Sequence, residues 1–105
     1  MTVPVYSTLL IDSPGLSGSA AFLVPPGYIC VVRDIDAVWF TGIGGTVEAG
    51  RGGAAVFWGV SQDPVLLLAT ASWRGRHVIP EGDQLVIATS QPADVSASGF
   101  LLSLP

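Results

Sequence analysis

The segment VPPGYICVV, residues 24–32, carries the signal that decides the fold, and a related segment, IPEGDQLVI, follows at residues 79–87. In each, an apolar residue precedes a proline, a variable residue and a glycine, and an apolar run typical of a strand comes next. The variable residue and the glycine suit the central positions of a type II turn, whose second position needs a positive φ. We therefore expect two equivalent corners between strands. Their structural turn residues are Pro25, Gly27, Pro80 and Gly82.

Short apolar runs recur about every eight to twelve residues along the chain, separated by Gly, Pro, Asp and Ser, and no window keeps a helical period. This rhythm predicts one all-β domain over residues 1–105, an antiparallel β-sandwich, jelly-roll-like, with about eight to ten short strands. Loops are expected at DSPGLSGS (12–19) and GIGG (42–45), and a hairpin tip at GRGG (50–53). The expected strands are Val5–Ile11, Ala20–Val24, Tyr28–Arg33, Ala37–Thr41, Thr46–Ala49, Ala54–Val60, Val65–Ala71, Arg74–Ile79, Gln84–Thr89 and Ser96–Leu104.

The chain is poor in charge. Only 11% of its 105 residues are charged, against roughly 25% in an ordinary soluble domain. A folded chain of this mass exposes roughly 5,500 Å², so its four basic and eight acidic residues leave much of that surface uncharged. Glycine, serine and threonine cover part of it. We expect other subunits to cover much of the rest, in an oligomer or a larger assembly.

Composition also disfavours several partners and cofactors. The net charge is −4 and there is no lysine, which leaves no basic patch for nucleic acid and excludes a P-loop or a Schiff base. Cys30 is the only cysteine, so a small buried thiol is expected rather than a disulfide or a Cys-based zinc site. The N-terminal sequence lacks signal-peptide features, and runs such as Val65–Ala69 are too short to cross a membrane. We expect no nucleic acid, no membrane and no cofactor.

Motifs for catalysis are incomplete. His77 is the only histidine, and the neighbouring Arg76 lowers the basicity that a catalytic base needs. GLSGS (15–19) misses the nucleophile-elbow pattern by one position. GIGGTVEAGRGG (42–53) fails the dinucleotide-binding pattern, because Val47 stands where the third glycine is needed. We therefore expect no enzyme and no catalytic residue.

Two pairs of acids have i, i+2 spacing, Asp34 with Asp36 and Glu81 with Asp83. A glycoside hydrolase needs two carboxylates across a cleft, and a sandwich of this length has little chain left to build one. The segment DID (34–36) also lacks the further oxygen ligands of a calcium site in a recognisable spacing. Neither hydrolysis nor a metal site is expected.

The aromatic residues point instead to a surface. VWF (38–40) and VFW (56–58) each place a tryptophan beside a phenylalanine, and neighbouring strand residues face opposite sides of a sheet. One member of each pair must then face solvent, a sugar or another subunit. Exposed Trp and Arg are favoured at protein interfaces, and stacked rings also bind carbohydrate. The expected interface residues are Trp39, Phe40, Phe57, Trp58, Trp73, Arg74, Arg76 and His77.

The segment SWRGRHVIPEGD (72–83) concentrates two of the four arginines and the single histidine. Strand alternation places Arg74 and Arg76 on one face, as two guanidinium groups able to bind carboxylates. These are carboxylates such as those of Asp34 and Asp36, or those of a neighbouring subunit, so Arg76→Ala is expected to weaken assembly or folding. The ion-pair candidates are Arg33, Asp34 and Asp36.

The segments YSTLL, VPPGYICVVRDIDAVW, WRGRHVIPEGDQLVI and DVSASGFLLSLP together resemble small virion proteins of tailed bacteriophages, encoded especially in phages of actinobacteria. The shared features are a V-P-x-G-x-x-x-V-V-R-D-I core and a V-S-G-Y-L-type ending. The resemblance spans nearly the whole chain. It departs at Phe100, where a tyrosine is common, and at Ala97, which interrupts the Val-Ser-Gly spacing.

The resemblance implies a non-enzymatic building block that oligomerises, as a trimer, on the outside of the particle. A minor tail protein is the first expectation and a head decoration protein the second; a carbohydrate-binding or receptor-recognition module is a further alternative. The implied partners are copies of the chain itself and other virion proteins. The expected location is the virion exterior, after synthesis in the host cytoplasm.

Overall fold

The computed structural model describes residues 5–40, 45–52, 55–62 and 68–105. Of these, 87% lie in strands, and every strand pair is antiparallel. The all-β, antiparallel class predicted from the sequence is therefore confirmed. The strands within the described ranges are β1 (Val5–Leu23), β2 (Tyr28–Phe40), β3 (Gly45–Arg51), β4 (Ala55–Gln62), β5 (Leu68–Ile79) and β6 (Gln84–Ser103).

Strand β6 is the centre of the sheet. One edge of β6 pairs with β1 from end to end, with Leu23 opposite Gln84 at one limit. The other edge is divided, because residues 94–103 pair with β2 and residues 85–89 pair with β3. The strand order is β4-β3-β6-β2-β5, with β1 beside β6. Since β4 also touches β5, the sheet is nearly barrel-shaped.

These strands are longer than the sequence pattern predicted. Each of β1, β2, β5 and β6 runs through a stretch that was expected to form two strands. The loop expected at 12–19 is wrong: register shifts on both sides of Leu16 take up the extra residues, and pairing with β6 continues beyond them. The polar and glycine-rich composition of this segment therefore marks a bulged strand.

Two other predicted connections have different outcomes. The hairpin tip expected at 50–53 is confirmed in part: Gly52 lies in a turn, whereas Gly50 and Arg51 belong to β3 and pair with Val56 and Ala55. Gly45, expected in a loop, begins β3. Some predictions lie partly outside the described residues. They are the loop at 42–45, the hairpin tip at 50–53 and the strands expected to include residues 41, 54 and 65–67.

Both Pro-x-Gly corners form as predicted. Gly27 and Gly82 have φ values of 86° and 80°, at the position where a type II turn requires a positive value. Tyr28 N–H donates to the Pro25 carbonyl at 3.2 Å, and Asp83 N–H donates to the Pro80 carbonyl at 3.1 Å. The glycines are therefore set by backbone geometry.

The two corners also bind each other. Val24 N–H donates to the Asp83 carbonyl at 2.9 Å, and Gly82 N–H donates to the Val24 carbonyl at 3.3 Å. The Glu81 carboxylate accepts a hydrogen bond from the Gly27 N–H. These bonds hold the corner before β6 against the end of β1 and against the corner before β2. They therefore stabilise this end of the curled sheet.

The core lies on the concave side of the sheet. Ile35, Ile79, Leu85 and Ile87 are fully buried there, as is Cys30. The expected buried thiol is confirmed. Its burial raises the pKa of the thiol to about 11, since a thiolate would lose its hydration.

Candidate interaction surface

A bulge at Arg33 decides which residues reach the outer face of β2. The register of β2 shifts between Val32 and Asp34 against both neighbouring strands. Val32 is buried, yet Asp34, two positions later, is partly exposed, and Ile35 is buried instead. Because strand residues two apart normally share a face, the bulge reverses the alternation. It thereby directs the acids outward.

The acids meet Arg74 on that outer face. Arg74 Nε lies 3.2 Å from Asp34 Oδ1, and Arg74 Nη2 lies 3.1 Å from Asp36 Oδ1. Ser72 Oγ donates to Asp36 at 2.8 Å, and Ser98 Oγ donates to Asp34 at 3.3 Å. The predicted contact of an arginine with both carboxylates is present, and Arg74 makes it. Since all three charged side chains are about half exposed, each ion pair contributes only about 0.2–1 kcal/mol.

Arg33 and Arg76 have different surroundings. Arg33 was an ion-pair candidate, but its guanidinium carbon lies 5.3 Å from the centre of the Phe100 ring, a cation–π contact. The bulge moves Arg33 out of the ladder, so it does not face the two acids. Arg76 is exposed and lines a depression of about 230 Å³ with Val31, Phe100 and Leu102. Among the described residues, no carboxylate lies within ion-pair distance of either arginine.

Apolar side chains continue across the strands beside these arginines. Val31 lies opposite Val78 on β5 and opposite Phe100 on β6, and Leu102 lies opposite Ile29 in the next row. Val78 is 48% exposed, so this row brings a large aliphatic side chain to the outer surface. We define the apolar–arginine patch by these residues: Ile29, Val31, Arg33, Arg76, Val78, Phe100 and Leu102.

The opposite end of the same face is acidic. Asp12, Asp36 and Asp94 line a second depression of about 200 Å³, with Val38 and Ser96. Asp94 accepts a hydrogen bond from the Gly15 N–H at 2.8 Å. Within the described ranges, no three His, Cys, Asp or Glu side chains are arranged to hold a metal ion. We call these three aspartates the acidic end of the face.

The predicted aromatic interface residues differ in how much of each is exposed. Trp39 is 1% exposed, so its prediction as an interface residue is wrong: the bulge turns it into the core. Its indole N–H has no hydrogen-bond partner among the described residues. Trp58 is partly buried and packs against the core. Phe40 ends β2, and its side chain lies outside the described set.

The remaining aromatic predictions meet where β4 touches β5. The Phe57 ring stacks on His77 with centroids 4.0 Å apart, and it tilts against Trp73 at 5.2 Å. Burial, and then the positive charge of Arg51, lowers the pKa of His77. The expected perturbing charge was that of Arg76, so this detail is corrected to Arg51. These rings join two parts of the sheet.

Sequence reasoning missed the apolar part of the surface. Phe100 and Leu102 alternate with Gly99 and Leu101 in the SGFLLS segment, and β6 has apolar residues on both faces there. An apolar residue on each face of a strand is the signal that could have identified a covered outer side. Sequence reasoning also missed the exposed Glu81 carboxylate as the group that joins the two corners.

Comparison with known protein families finds no model that matches the chain, and no curated protein matches it. The described residues include no helix that could span a lipid bilayer.

Proposed function

We propose that the protein is a non-enzymatic structural subunit of a tailed-bacteriophage virion, an oligomeric minor tail protein on the particle exterior. The observation that carries the assembly role is the apolar–arginine patch. It combines Val78 and Phe100 with Arg76 on the outside of the sheet, and aromatic and arginine residues are enriched at protein interfaces. The resemblance in sequence supplies the kind of particle.

The reactive side chains of the described residues already serve the fold, which supports a structural role over catalysis. His77 is stacked on Phe57, and the burial that raises the pKa of the Cys30 thiol to about 11 disfavours the nucleophilic thiolate. Arg74 binds two carboxylates of its own chain. A nucleophile or general base needs access to a substrate and a suitable pKa, whereas the Cys30 thiol is fully buried.

A carbohydrate-binding role would need flat rings on the surface. Trp39 is buried, and Trp58 and Trp73 are only partly exposed and pack against the core. This placement favours the structural subunit over the receptor-recognition module. The same patch serves a head decoration protein as well as a tail protein, so head decoration remains the alternative.

The finer description of the fold belongs to the same proposal. We describe the curled sheet as a jelly-roll-like sandwich in which β1 and β6 cross from one layer to the other. The division of the β6 edge between β2 and β3 supports this, as does the exposed segment 90–92 between the two parts. A crystal structure with the two parts of β6 in facing layers would establish the sandwich, and a continuous closed barrel would contradict it.

The particle location is tested by protein chemistry. Purified virions of the phage that encodes the chain are separated into heads and tails, and peptides of each fraction are identified by mass spectrometry. The proposal expects the chain in the tail fraction. Its presence in heads alone would establish the decoration alternative, and its absence from both would overturn the virion assignment.

A further inference from the structure

We infer that the outer face of β2, β5, residues 94–103 of β6 and the part of β1 that pairs with them binds the same face of a second copy of the chain about a two-fold axis. The inference rests on the proposed role as a self-assembling subunit and names the partner of its surface. It also specifies a dimeric contact, where the resemblance implies a trimer.

The first argument is the distribution of charge. Arg51 pairs with Asp83, and Arg74 pairs with Asp34 and Asp36. Among the described residues, two arginines have no ion pair, Arg33 and Arg76, and both lie in the apolar–arginine patch.

At the acidic end, Asp12 and Asp94 likewise have no ion pair within the described part of the chain. The charges left without an internal ion pair on this face are therefore two positive charges at one end and two negative charges at the other.

The second argument is geometric. Phe100 in the patch and Ser96 at the acidic end are four residues apart on β6, which is about 13 Å along a strand. A two-fold axis that lies in the plane of the contact, perpendicular to the line from the patch to the acidic end, places each patch over the acidic end of the partner. Both contacts then form at once, as the self-complementary interface of a C2 dimer requires.

The third argument is area. The face spans four strands, from β1 to β5, and about ten residues along them, or roughly 19 Å by 33 Å. Packing two such faces covers about 600 Å² on each copy and about 1,200 Å² in total, the lower limit for a specific stable interface. Sheets pack face to face about 10 Å apart through interdigitating side chains, which the rows from Val78 to Phe100 provide.

Charge also selects a second copy over other occupants. An acidic partner would match Arg33 and Arg76 but would be repelled by the acidic end, and a basic partner would meet the reverse. A matching partner needs an apolar surface that carries positive and negative charges as far apart as the patch and the acidic end. A second copy of this chain has that pattern.

The test measures self-association by sedimentation equilibrium from about 1 to about 200 µM, a range that brackets weak and moderate dimers. Arg76→Ala is compared with Thr46→Glu, because both variants change the net charge from −4 to −5. Thr46 is exposed on β3, away from this face. We expect the dimer of Arg76→Ala to dissociate at least tenfold more readily, since each dimer loses two contacts. Thr46→Glu should remain within about twofold of the parent protein.

A second pair of variants guards against misfolding of any one chain. Arg76→Glu and Asp12→Arg should each self-associate weakly, and mixing the two should restore dimers, because each mixed dimer recovers one reversed contact and keeps one native contact. Circular dichroism melts confirm that each variant is folded. Failure of the mixture to associate more strongly than either variant alone would count against this pairing of the faces.

The possible assemblies separate the two proposals. A dimer with these sensitivities supports both. A trimer that Arg76→Ala leaves unchanged overturns the two-fold contact while the subunit role stands, and a dimer that it leaves unchanged overturns this choice of face. A monomer throughout the range overturns the two-fold contact and the self-assembling subunit together.

Discussion

Substitution of Gly82 by alanine isolates the contribution of backbone geometry at one corner. Gly82 has a φ of 80°, and a Cβ built on it would have no atom within 4 Å. The variant therefore adds no clash, and its cost comes from placing an L-residue in the left-handed region. Rotation to a negative φ would disturb the bonds from Gly82 N–H to Val24 and from Asp83 N–H to Pro80.

The magnitude follows from these two routes. Holding alanine at a positive φ costs about 1–2 kcal/mol, and losing both hydrogen bonds costs a similar amount, at about 0.5–1.5 kcal/mol each. The unfolding entropy of a chain of this length is roughly 0.22 kcal/mol per kelvin. Gly82→Ala should therefore lower Tm by about 5–9 °C. Gly82→Val should lower it further, because a β-branched residue is an outlier at positive φ.

Thermal unfolding followed by circular dichroism measures these shifts. Gly59→Ala is the matched control: Gly59 is exposed on β4, and its Cβ would make ordinary contacts of 3.6 and 3.8 Å. That variant should be neutral or slightly stabilising. Asparagine tolerates a positive φ, so Gly82→Asn should lie between the parent protein and Gly82→Ala. A Tm for Gly82→Ala within measurement error of the parent protein would refute the assignment of the turn.

Three further outcomes are expected. Glu81→Ala should lower Tm by about 4–5 °C, since the hydrogen bond to the Gly27 N–H is worth about 1 kcal/mol. Glu81→Gln keeps an acceptor oxygen and should lower Tm by less. Equal decreases in Tm for the two variants would contradict a role for this hydrogen bond. Because the pKa of Cys30 rises from 9.0 to about 11, folding stability should fall as pH rises from 9 toward 11, and alkylation at pH 8 should be at least tenfold slower than in urea. Equal alkylation rates would disprove the thiol's protection. Because the pKa of His77 is lowered, the folding stability that is present above pH 6.5 is lost as the pH falls through the lowered value. The imidazole protons of His77, the only histidine, should titrate below pH 6.5 in NMR spectra, and their midpoint should move upward in Arg51→Gln. A midpoint above pH 6.5 in the parent protein would contradict the shift.

The parts of the fold that the sequence predicts are those with local causes. The corners at Gly27 and Gly82 depend on the φ range of glycine and on the missing N–H of proline, both of which are properties of single residues. Asp34 and Asp36 share one face because they lie two residues apart on a strand, and opposite charge marks them as partners of an arginine. These features need only a few neighbouring residues to be recognised.

The parts that sequence reasoning missed depend on strand pairing. Residues 12–19 have the composition of a loop, yet β6 supplies partners on both sides of Leu16, and no local pattern records those partners. The inward position of Trp39 likewise depends on register. In VWF either aromatic residue could face the core, and the choice is made by the register shift at Arg33, six residues before Trp39.

That shift at Arg33 connects the core to the surface. Had the alternation continued from buried Val32, Asp34 and Asp36 would point into the core, and Ile35 and Trp39 would face solvent, because a one-residue slip exchanges the two faces of a strand. Burying two carboxylates without partners costs several kcal/mol each, so the bulge avoids that cost. Arg33, which occupies the bulge, leaves the hydrogen-bonded ladder, and its guanidinium lies over the Phe100 ring. The positive charge that Arg33 adds to the apolar end of the outer face is therefore a consequence of keeping the acids out of the core.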